Sequence, residues 1–565
     1  MPQDAFTLRY LCLELNELFK GGKINRIIQP SNDEVTFTVY TGGKTKKLSL
    51  DVNPANPRIA VVEKEKESPL TAPNFCMLLR KHLLSSTITD ISLIDFDRIV
   101  RIDFLTSDEF KDSQKKTLYV ELMGRYSNVI LTENGKILGG NRGINMFDNG
   151  VRPLIVGCPY VFPPANEKKI PKDTELIDIF DKADREKLAE CITANVQGIA
   201  LSTAKEIVQK YNGGKREGFG KDFFTHLNDC IYNSPANPCV VIEEGVVKDV
   251  MVYPYKALGG RVMEFSTLYE AEEFYFTERE KIKKFANKKD RLTSVTASAI
   301  KKVKKRITAI SSKQKDAEGA EENKIKGELI LSNVYRIKQG DKECELENYY
   351  DGTKIKITLD QRLSPAKNAE VFYKKYAKQK RTQTALLPQR EQAEGELSYL
   401  TSVMDEIELA ETIEELDMVH QELLSAGLIV DKQVQTRKKK VEENLFRVYS
   451  VYGFTVKAGR NNAENDKVTF SAKGEDVWVH AKDYHSSHVV IEANGKEIPE
   501  NVIAVAGEIS AYYSKGREGG KVEIVYTLKK HVKKPPKTKP GFCTYNNFKS
   551  MVVEPKKHVE FLKCQ

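Results

Sequence analysis

The chain has one tryptophan in 565 residues, and nine cysteines that never stand in a C-x-x-C pair. Those cysteines (Cys12, Cys76, Cys158, Cys191, Cys230, Cys239, Cys344, Cys543 and Cys564) are scattered and odd in number. The pattern argues against a disulfide framework and a zinc ribbon, and it suits a reducing cytosol. No apolar run approaches the roughly 20 residues that cross a bilayer, so no membrane partner is expected. The opening stretch MPQDAFTLRYLCLELNELFK mixes acids among its leucines and lacks the layout of a secretory signal. Lysine and arginine are missing from 391–422, which carry 11 acids; acids are missing from 529–539, which carry six lysines. Each gap marks a segment with a single electrostatic sign.

What is present points to three or four domains, since 565 residues exceed one hydrophobic core. A charged fraction of 30% suits long solvated helices. The net charge of +9 hides an uneven distribution: residues 276–315 hold 14 Lys/Arg against 3 Asp/Glu, and 446–565 hold 20 against 13.

Along the chain, Leu8, Leu11, Leu15 and Phe19 share one helical face. EVTFTVYT, KKLSLDV, ITDISLIDFDRIVRIDF, KTLYVELMG and SNVILTENGKILGG read as strands, the last with an Asn-Gly hairpin signal, and NFCMLLRKHLLSS as a helix. This is an N-terminal α+β domain over 1–173, left through CPYVFPPANEKKIP. A helical region over 174–236 follows. Its Gly198-Ile199 turn ahead of Ser202 and Thr203 resembles half of a helix-hairpin-helix, whose free N–H groups can hold a phosphate; a plain capped helix fits the same pattern. Short strands in 237–267 are expected to return to the first domain.

Apolar residues then recur near heptad spacing at 282, 285, 292, 295, 299, 303, 307 and 310, and again from Leu397 to Leu423. Between these stretches lies a small module, about 325–362, with an Asp-Gly turn between strands. The reading for 268–445 is a long antiparallel coiled-coil arm with that module at its tip. Its basic first helix can lie against its acidic second.

The remainder, 446–565, reads as a C-terminal α+β domain, with strands at 447–457, 467–470, 476–480, 488–492 and 521–527 and a helix at 500–514. In DVWVHAKDYHSSHVVI, His480, His485 and His488 raise a metal site, a Ser/His centre or a polyanion grip. The spacing His-x4-His-x2-His suits no standard zinc site, and no cysteine is near. Ser487 and His488 are adjacent and point to opposite strand faces, and no G-x-S-x-G turn exists. No metal, cofactor or catalytic residue is therefore expected. Strand alternation sets Trp478 and His480 apart from Val477 and Val479. Two readings stay level: a packed Trp/His cluster, and an exposed face that stacks on RNA. LKKHVKKPPKTKPGFCTYNNFKS adds lysines for phosphate and Phe542, Tyr545 and Phe548 as stacking faces.

NDKVTFSAKGEDVWVHAKDYHSSHVVI, the preceding GRNNAEND and the following KHVKKPPKTKPGF resemble the C-terminal module of the NFACT family. APNFCMLLRKHL, DFDR, ELMGRYSNVILT and ITLDQRLSPAKNAEVFYKKYAK are similar to its N-terminal and middle segments, and the likeness covers essentially the whole chain. The length resembles that of the bacterial branch, also called fibronectin-binding protein A. The resemblance implies a cytoplasmic, non-enzymatic ribosome rescue factor. Its partners would be the large (50S) subunit with its rRNA and stalk base, peptidyl-tRNA, and an RqcP-like Hsp15 homologue. It would recruit alanine-tRNA for template-free C-terminal tailing. By resemblance, Asp97 and Arg98 fall on the family's tRNA-binding pair, and Glu121, Leu122, Met123 and Arg125 on a second tRNA segment. A lower-ranking RNA-facing set is Arg460, Asn461, Trp478, His480, Lys529, Lys530, Lys533, Lys534 and Lys537, with Trp478→Ala expected to weaken RNA binding without unfolding. Two other functions stay open: a DNA lyase using Pro2, which the N-terminal domain's resemblance to formamidopyrimidine-DNA glycosylases raises and the missing four-cysteine finger disfavours, and a surface adhesin, which the family's older name suggests.

Overall fold

In the computed structural model, residues 3–107, 113–142, 152, 154–164, 167–212, 218–255, 259–429, 446–536 and 538–562 are described. Pro2, Lys537 and Cys564 lie outside them. The chain divides into two compact units, 1–282 and 283–565.

The first unit opens on α1 (Ala5–Phe19), capped by the Asp4 carboxylate, which accepts the Thr7 N–H at 2.8 Å. Strands β1 (Lys23–Ser31), β2 (Glu34–Thr41), β3 (Lys44–Asp51) and β4 (Arg58–Val61) precede α2 (Asn74–Leu83). Then come β5 (Thr87–Leu93), β6 (Ile99–Ser107), β7 (Ser113–Glu121), β8 (Asn128–Glu133) and β9 (Lys136–Gly140). The nine form one antiparallel sheet in the order β4-β3-β2-β1-β5-β6-β7-β8-β9. Alternation in β2 and β7 turns Val35, Phe37, Val39, Leu118 and Val120 into one core with Leu11, Leu15 and Phe19 of α1. Asn134 (φ 49°) and Gly135 (φ 75°) make the tight β8–β9 turn that the Asn-Gly pair predicts.

Helices α3 (Glu175–Lys182), α4 (Leu188–Asn195), α5 (Leu201–Lys210) and α6 (Phe219–Tyr232) follow, with Phe180 edge-on to Phe223 at 5.0 Å. Strands β10 (Cys239–Glu243), β11 (Val246–Met251) and β12 (Arg261–Glu264) form a separate small sheet. Val240, Val250 and Tyr253 enter the same core as α1. Glu14 then caps α7 (Leu268–Glu318) by accepting the N–H groups of Leu268 at 2.9 Å and Tyr269 at 3.1 Å. A bend at Gly319 passes α7 into α8 (Ala320–Ser332), a helical run of 65 residues.

In the second unit, β13 (Glu343–Glu347) and β14 (Lys354–Thr358) form a hairpin, followed by α9 (Pro365–Leu409) and α10 (Ile413–Ser425). Leu292, Val303 and Ile310 meet Leu386, Leu400, Val403 and Ile407 in one apolar seam. The helices run antiparallel: Lys289 reaches the Glu408 carbonyl at 2.8 Å, while farther along α7 Arg306 pairs with Glu396. The basic segment does lie on the acidic one.

Beyond it lie β15 (Arg447–Val451), β16 (Phe454–Ala458), α11 (Asn462–Ser471), β17 (Val477–Ala481), β18 (Val489–Ile491), α12 (Glu500–Tyr512), β19 (Val522–Leu528), β20 (Val532–Lys533), β21 (Thr544–Tyr545) and β22 (Lys549–Val553). Their six-stranded sheet runs β15-β16-β18-β17-β19-β22. Residues 467–470, expected as a strand, belong to α11. Asn461 caps that helix by accepting the Glu464 N–H at 2.8 Å. A local N-cap thus outweighs the β-rich VTF triplet.

Candidate nucleic-acid interface

Asp97 and Arg98 were expected inside a strand; they sit in the turn between β5 and β6. Asp95 (φ 45°) and Phe96 (φ 52°) both take the left-handed conformation, which costs of order 1 kcal/mol or more apiece without glycine. The turn closes through the Asp97 N–H on the Ile94 carbonyl at 2.8 Å, and Asp97 Oδ1 accepts the Arg98 N–H at 2.7 Å. Burial of Phe96 offsets the strain: its ring meets Tyr232 at 6.2 Å, and its carbonyl lies where a Cβ on Gly198 would come within 2.4 Å. Asp97 and Arg98 are left half-buried at the rim.

Sheet register brings the second predicted segment alongside. Ile99 pairs with Glu121, and the Arg98 carbonyl accepts the Leu122 N–H at 2.8 Å. The chain then makes a 3-10 turn at Gly124–Tyr126. Two predicted contact residues face inward. Glu121 is buried, held by Arg152 through two bonds of 3.0 and 2.6 Å and by the Tyr160 hydroxyl at 2.8 Å. Burial and that carboxylate push the Tyr160 phenol well up. Leu122 is buried in the core. Both are corrections: these residues brace the segment and cannot touch a ligand. Met123 is half-buried and Arg125 exposed, its guanidinium 4.7 Å from the Tyr126 ring centre. Tyr126, 67% exposed, went unread, although an aromatic after Arg in a Gly-led turn was a signal for it.

An anion of the chain's own already stands at the start of α5: Asp4 Oδ2 accepts the N–H of Ala200, the residue ahead of the helix, and the Thr203 hydroxyl, each at 2.9 Å. Thr203 and Asp4 are buried, so the carboxylate ties α1 to α5, and its charge disfavours a phosphate beside it.

The Trp/His stretch is corrected as well. Val477, Val479 and Ala481 face α12, and Trp478 and His480 share the other face, as alternation requires. That other face is covered. Trp478 is 0% exposed, with His480 stacked at 5.4 Å, His488 edge-on at 5.2 Å and Tyr545 over it at 5.2 Å. Burial, then His485, lowers His480 to about 4; burial, then His480, holds His488 well below its usual range. Both imidazoles are neutral at pH 7. His488 Nδ1 meets the Thr469 hydroxyl at 2.8 Å, and the Ser487 hydroxyl donates instead to the Gly459 carbonyl at 2.7 Å. Trp478 is no stacking platform, and the half-buried His480 already spends one ring face on it.

Arg460 and Asn461 are also inward. Arg460 pairs with Glu464 at 2.9 Å, and Asn461 is the buried cap of α11. In the β20–β21 ribbon Val532 faces Tyr545 and Lys533 faces Thr544. Lys530, Lys533 and Lys534 are exposed and Lys529 half-buried; Lys534 pairs with Asp466. Of the three aromatics expected as stacking faces, Phe542 and Phe548 are 51% and 48% exposed, with Phe548 edge-on to Tyr545 at 5.4 Å.

Part of this domain's charge is spent on the arm. Glu415 binds Arg447, Asp405 binds Lys515 at 2.7 Å, and Glu411 binds Arg517 at 3.0 Å and also Lys557. Glu406, enclosed beside Glu422, has its carboxyl pushed well up, first by burial and then by that neighbour. Among the described residues, no helix is long and apolar enough to cross a membrane.

Residues 4–442 match the family described as NFACT N-terminal and middle domains, and 444–545 the NFACT protein RNA binding domain. The chain is 31% identical over 558 residues to the Rqc2 homolog RqcH of Bacillus subtilis (strain 168), covering 96% of each. It is 24% identical over 218 residues to ribosome quality control complex subunit 2 of Saccharomyces cerevisiae, 36% of this chain and 20% of that one. The C-terminal part of the fibronectin/fibrinogen-binding protein from Streptococcus suis aligns at 27% identity, over 49% of this chain and 99% of that structure, with a TM-score of 0.39.

Proposed function

Because the chain belongs to the NFACT family, we propose that it is a cytoplasmic ribosome quality control factor that binds RNA. It engages a large ribosomal subunit still obstructed by peptidyl-tRNA and recruits alanine-tRNA, so that a template-free alanine tail marks the stalled chain for degradation. The peptidyl transferase centre makes the bonds, and this protein supplies binding and positioning. An RqcP-like Hsp15 homologue completes the assembly, and the helical arm reaches the stalk base.

The observation that carries the tRNA assignment is the β6–β7 register, which sets Arg98 beside the Met123–Arg125 turn. A guanidinium there can hold a phosphate or base edge through paired N–H groups, and Asp97 can accept from a base amine. Arg125 on Tyr126 adds a cation and a flat face at the same rim. In the C-terminal domain, Lys530, Lys533, Phe542 and Phe548 replace Trp478 and His480 as the RNA-facing set.

The test is tailing on obstructed large subunits. Asp97→Ala/Arg98→Ala abolishes tail addition and leaves co-sedimentation with the subunit intact. Normal tailing by that double variant would refute the site; loss of subunit binding in the wild type would refute the function.

A further inference from the structure

Resting on the tRNA-binding reading, we propose that Arg9 and Lys172 form a phosphate clamp that extends the Asp97–Arg98 rim along the RNA backbone. The two cations come from distant segments, α1 and the chain leading into α3, yet meet on one ring. The Arg9 guanidinium lies 4.8 Å from the Tyr232 ring centre and the Lys172 ammonium 4.5 Å from it, so they are no more than about 9 Å apart.

The backbone that carries the ring is tied to α1. Arg9 Nη2 donates to the Tyr232 carbonyl at 3.4 Å, and the Tyr10 hydroxyl donates to the Ser234 carbonyl at 2.8 Å, fastening α1 to the end of α6. Tyr232 also meets Phe96, the buried residue of the turn that carries Asp97 and Arg98. One aromatic therefore holds both cations and packs against the turn that carries Asp97 and Arg98.

Charge makes this corner a ligand surface rather than an internal bridge. Among the described residues neither Arg9 nor Lys172 forms an ion pair, whereas Lys169, Arg142 and Arg152 of the same unit each hold a carboxylate. The carboxylates near in sequence are engaged elsewhere: Asp173 with Lys169, and Asp229 with the Asn233 side chain at 2.8 Å. Asp95 and Asp97 lie in the turn itself, and Asp97 Oδ1 already accepts the Arg98 N–H. The shared ring keeps two cations within about 9 Å of each other, a spacing at which a phosphodiester backbone can meet both. The clamp reads phosphate and carries no base preference.

The experiment measures binding of a mixed tRNA pool to the full chain across a salt series. Arg9→Gln/Lys172→Gln lowers affinity roughly tenfold at physiological salt and reduces the slope of log K against log salt by about 1 to 2, the loss of one or two phosphate contacts. Lys172→Glu, at an exposed position, weakens binding with unchanged thermal unfolding, so a folding defect at Arg9 leaves the test intact. Arg9→Lys/Lys172→Arg keeps the wild-type slope. A wild-type slope in the double Gln variant, or wild-type affinity in Lys172→Glu, overturns the clamp and leaves the proposed function standing. Absence of tRNA binding by the wild type overturns both.

Discussion

The β5–β6 turn and strand β17 carry the two most motif-like stretches of the chain, and they spend their residues in opposite ways. At the turn, backbone strain at Asp95 and Phe96 is held by a buried phenylalanine, and the polar pair behind it stays at the rim. In β17 the tryptophan and histidine that look chemically active are the packing, covered by Tyr545 and joined by His488. A side chain's chemistry is available only where its neighbours do not need it.

The largest expected effect falls on the covered side. Trp478→Ala removes a fully buried side chain and costs the C-terminal sheet about 3–5 kcal/mol. Faster hydrogen exchange across 477–491 is the measurement, with RNA binding falling only as the domain opens. Lost binding at unchanged exchange would return the indole to a contact role and erase the contrast.

A comparable internal loss is expected at Glu121. Glu121→Ala strands the Arg152 guanidinium and the Tyr160 hydroxyl and destabilises the β7 end by about 3 kcal/mol or more. Arg125→Ala, four residues on, leaves thermal unfolding unchanged and weakens RNA binding. Equal stability losses in the two variants would remove the distinction between brace and contact.

Acid separates the regions next. The unfolded chain protonates its histidines below about pH 6.5, but folded His480 stays neutral to about pH 4. The folding advantage of the neutral imidazole is complete above pH 6.5. It declines as pH falls toward 4, by on the order of 2 kcal/mol. Glu406 and Glu422 work in the other direction: their raised pKa values favour the fold at low pH and lose that contribution as pH rises above the ordinary carboxylate range. The readout is therefore the difference between wild type and His480→Gln in urea melts from pH 7 to 4.5; a constant difference would contradict the buried, neutral imidazole.

The smallest effect concerns the arm. Glu411→Gln weakens half-exposed pairs with Arg517 and Lys557 and costs under about 1 kcal/mol, vanishing in high salt. A salt-independent loss would mean that the contact between arm and sheet is apolar.

Several features were legible because their cause is local. Leu8, Leu11, Leu15 and Phe19 read as a helix face, Asn134-Gly135 as a hairpin turn, and the split between Val477/Val479 and Trp478/His480 as strand alternation. The opposed charges of the arm predicted their pairing. Other readings failed where the cause lies far along the chain. The helix start at Ser202-Thr203 is met by the carboxylate of Asp4, 196 residues from Ala200. Glu121 is claimed by Arg152 and Tyr160, 31 and 39 residues on, whereas Arg460 is lost to a local partner, Glu464.

The sequence by itself determined where each kind of chemistry is stored: the alternation, caps, charge blocks and motif residues follow from spacing and residue type. Only the tertiary structure decided which of those residues meet solvent. Burial is a property of what packs on top, and those partners come from distant segments. Hence Trp478, Glu121 and Asp4 became structure, while Arg125 and Lys172 kept their charges in solvent.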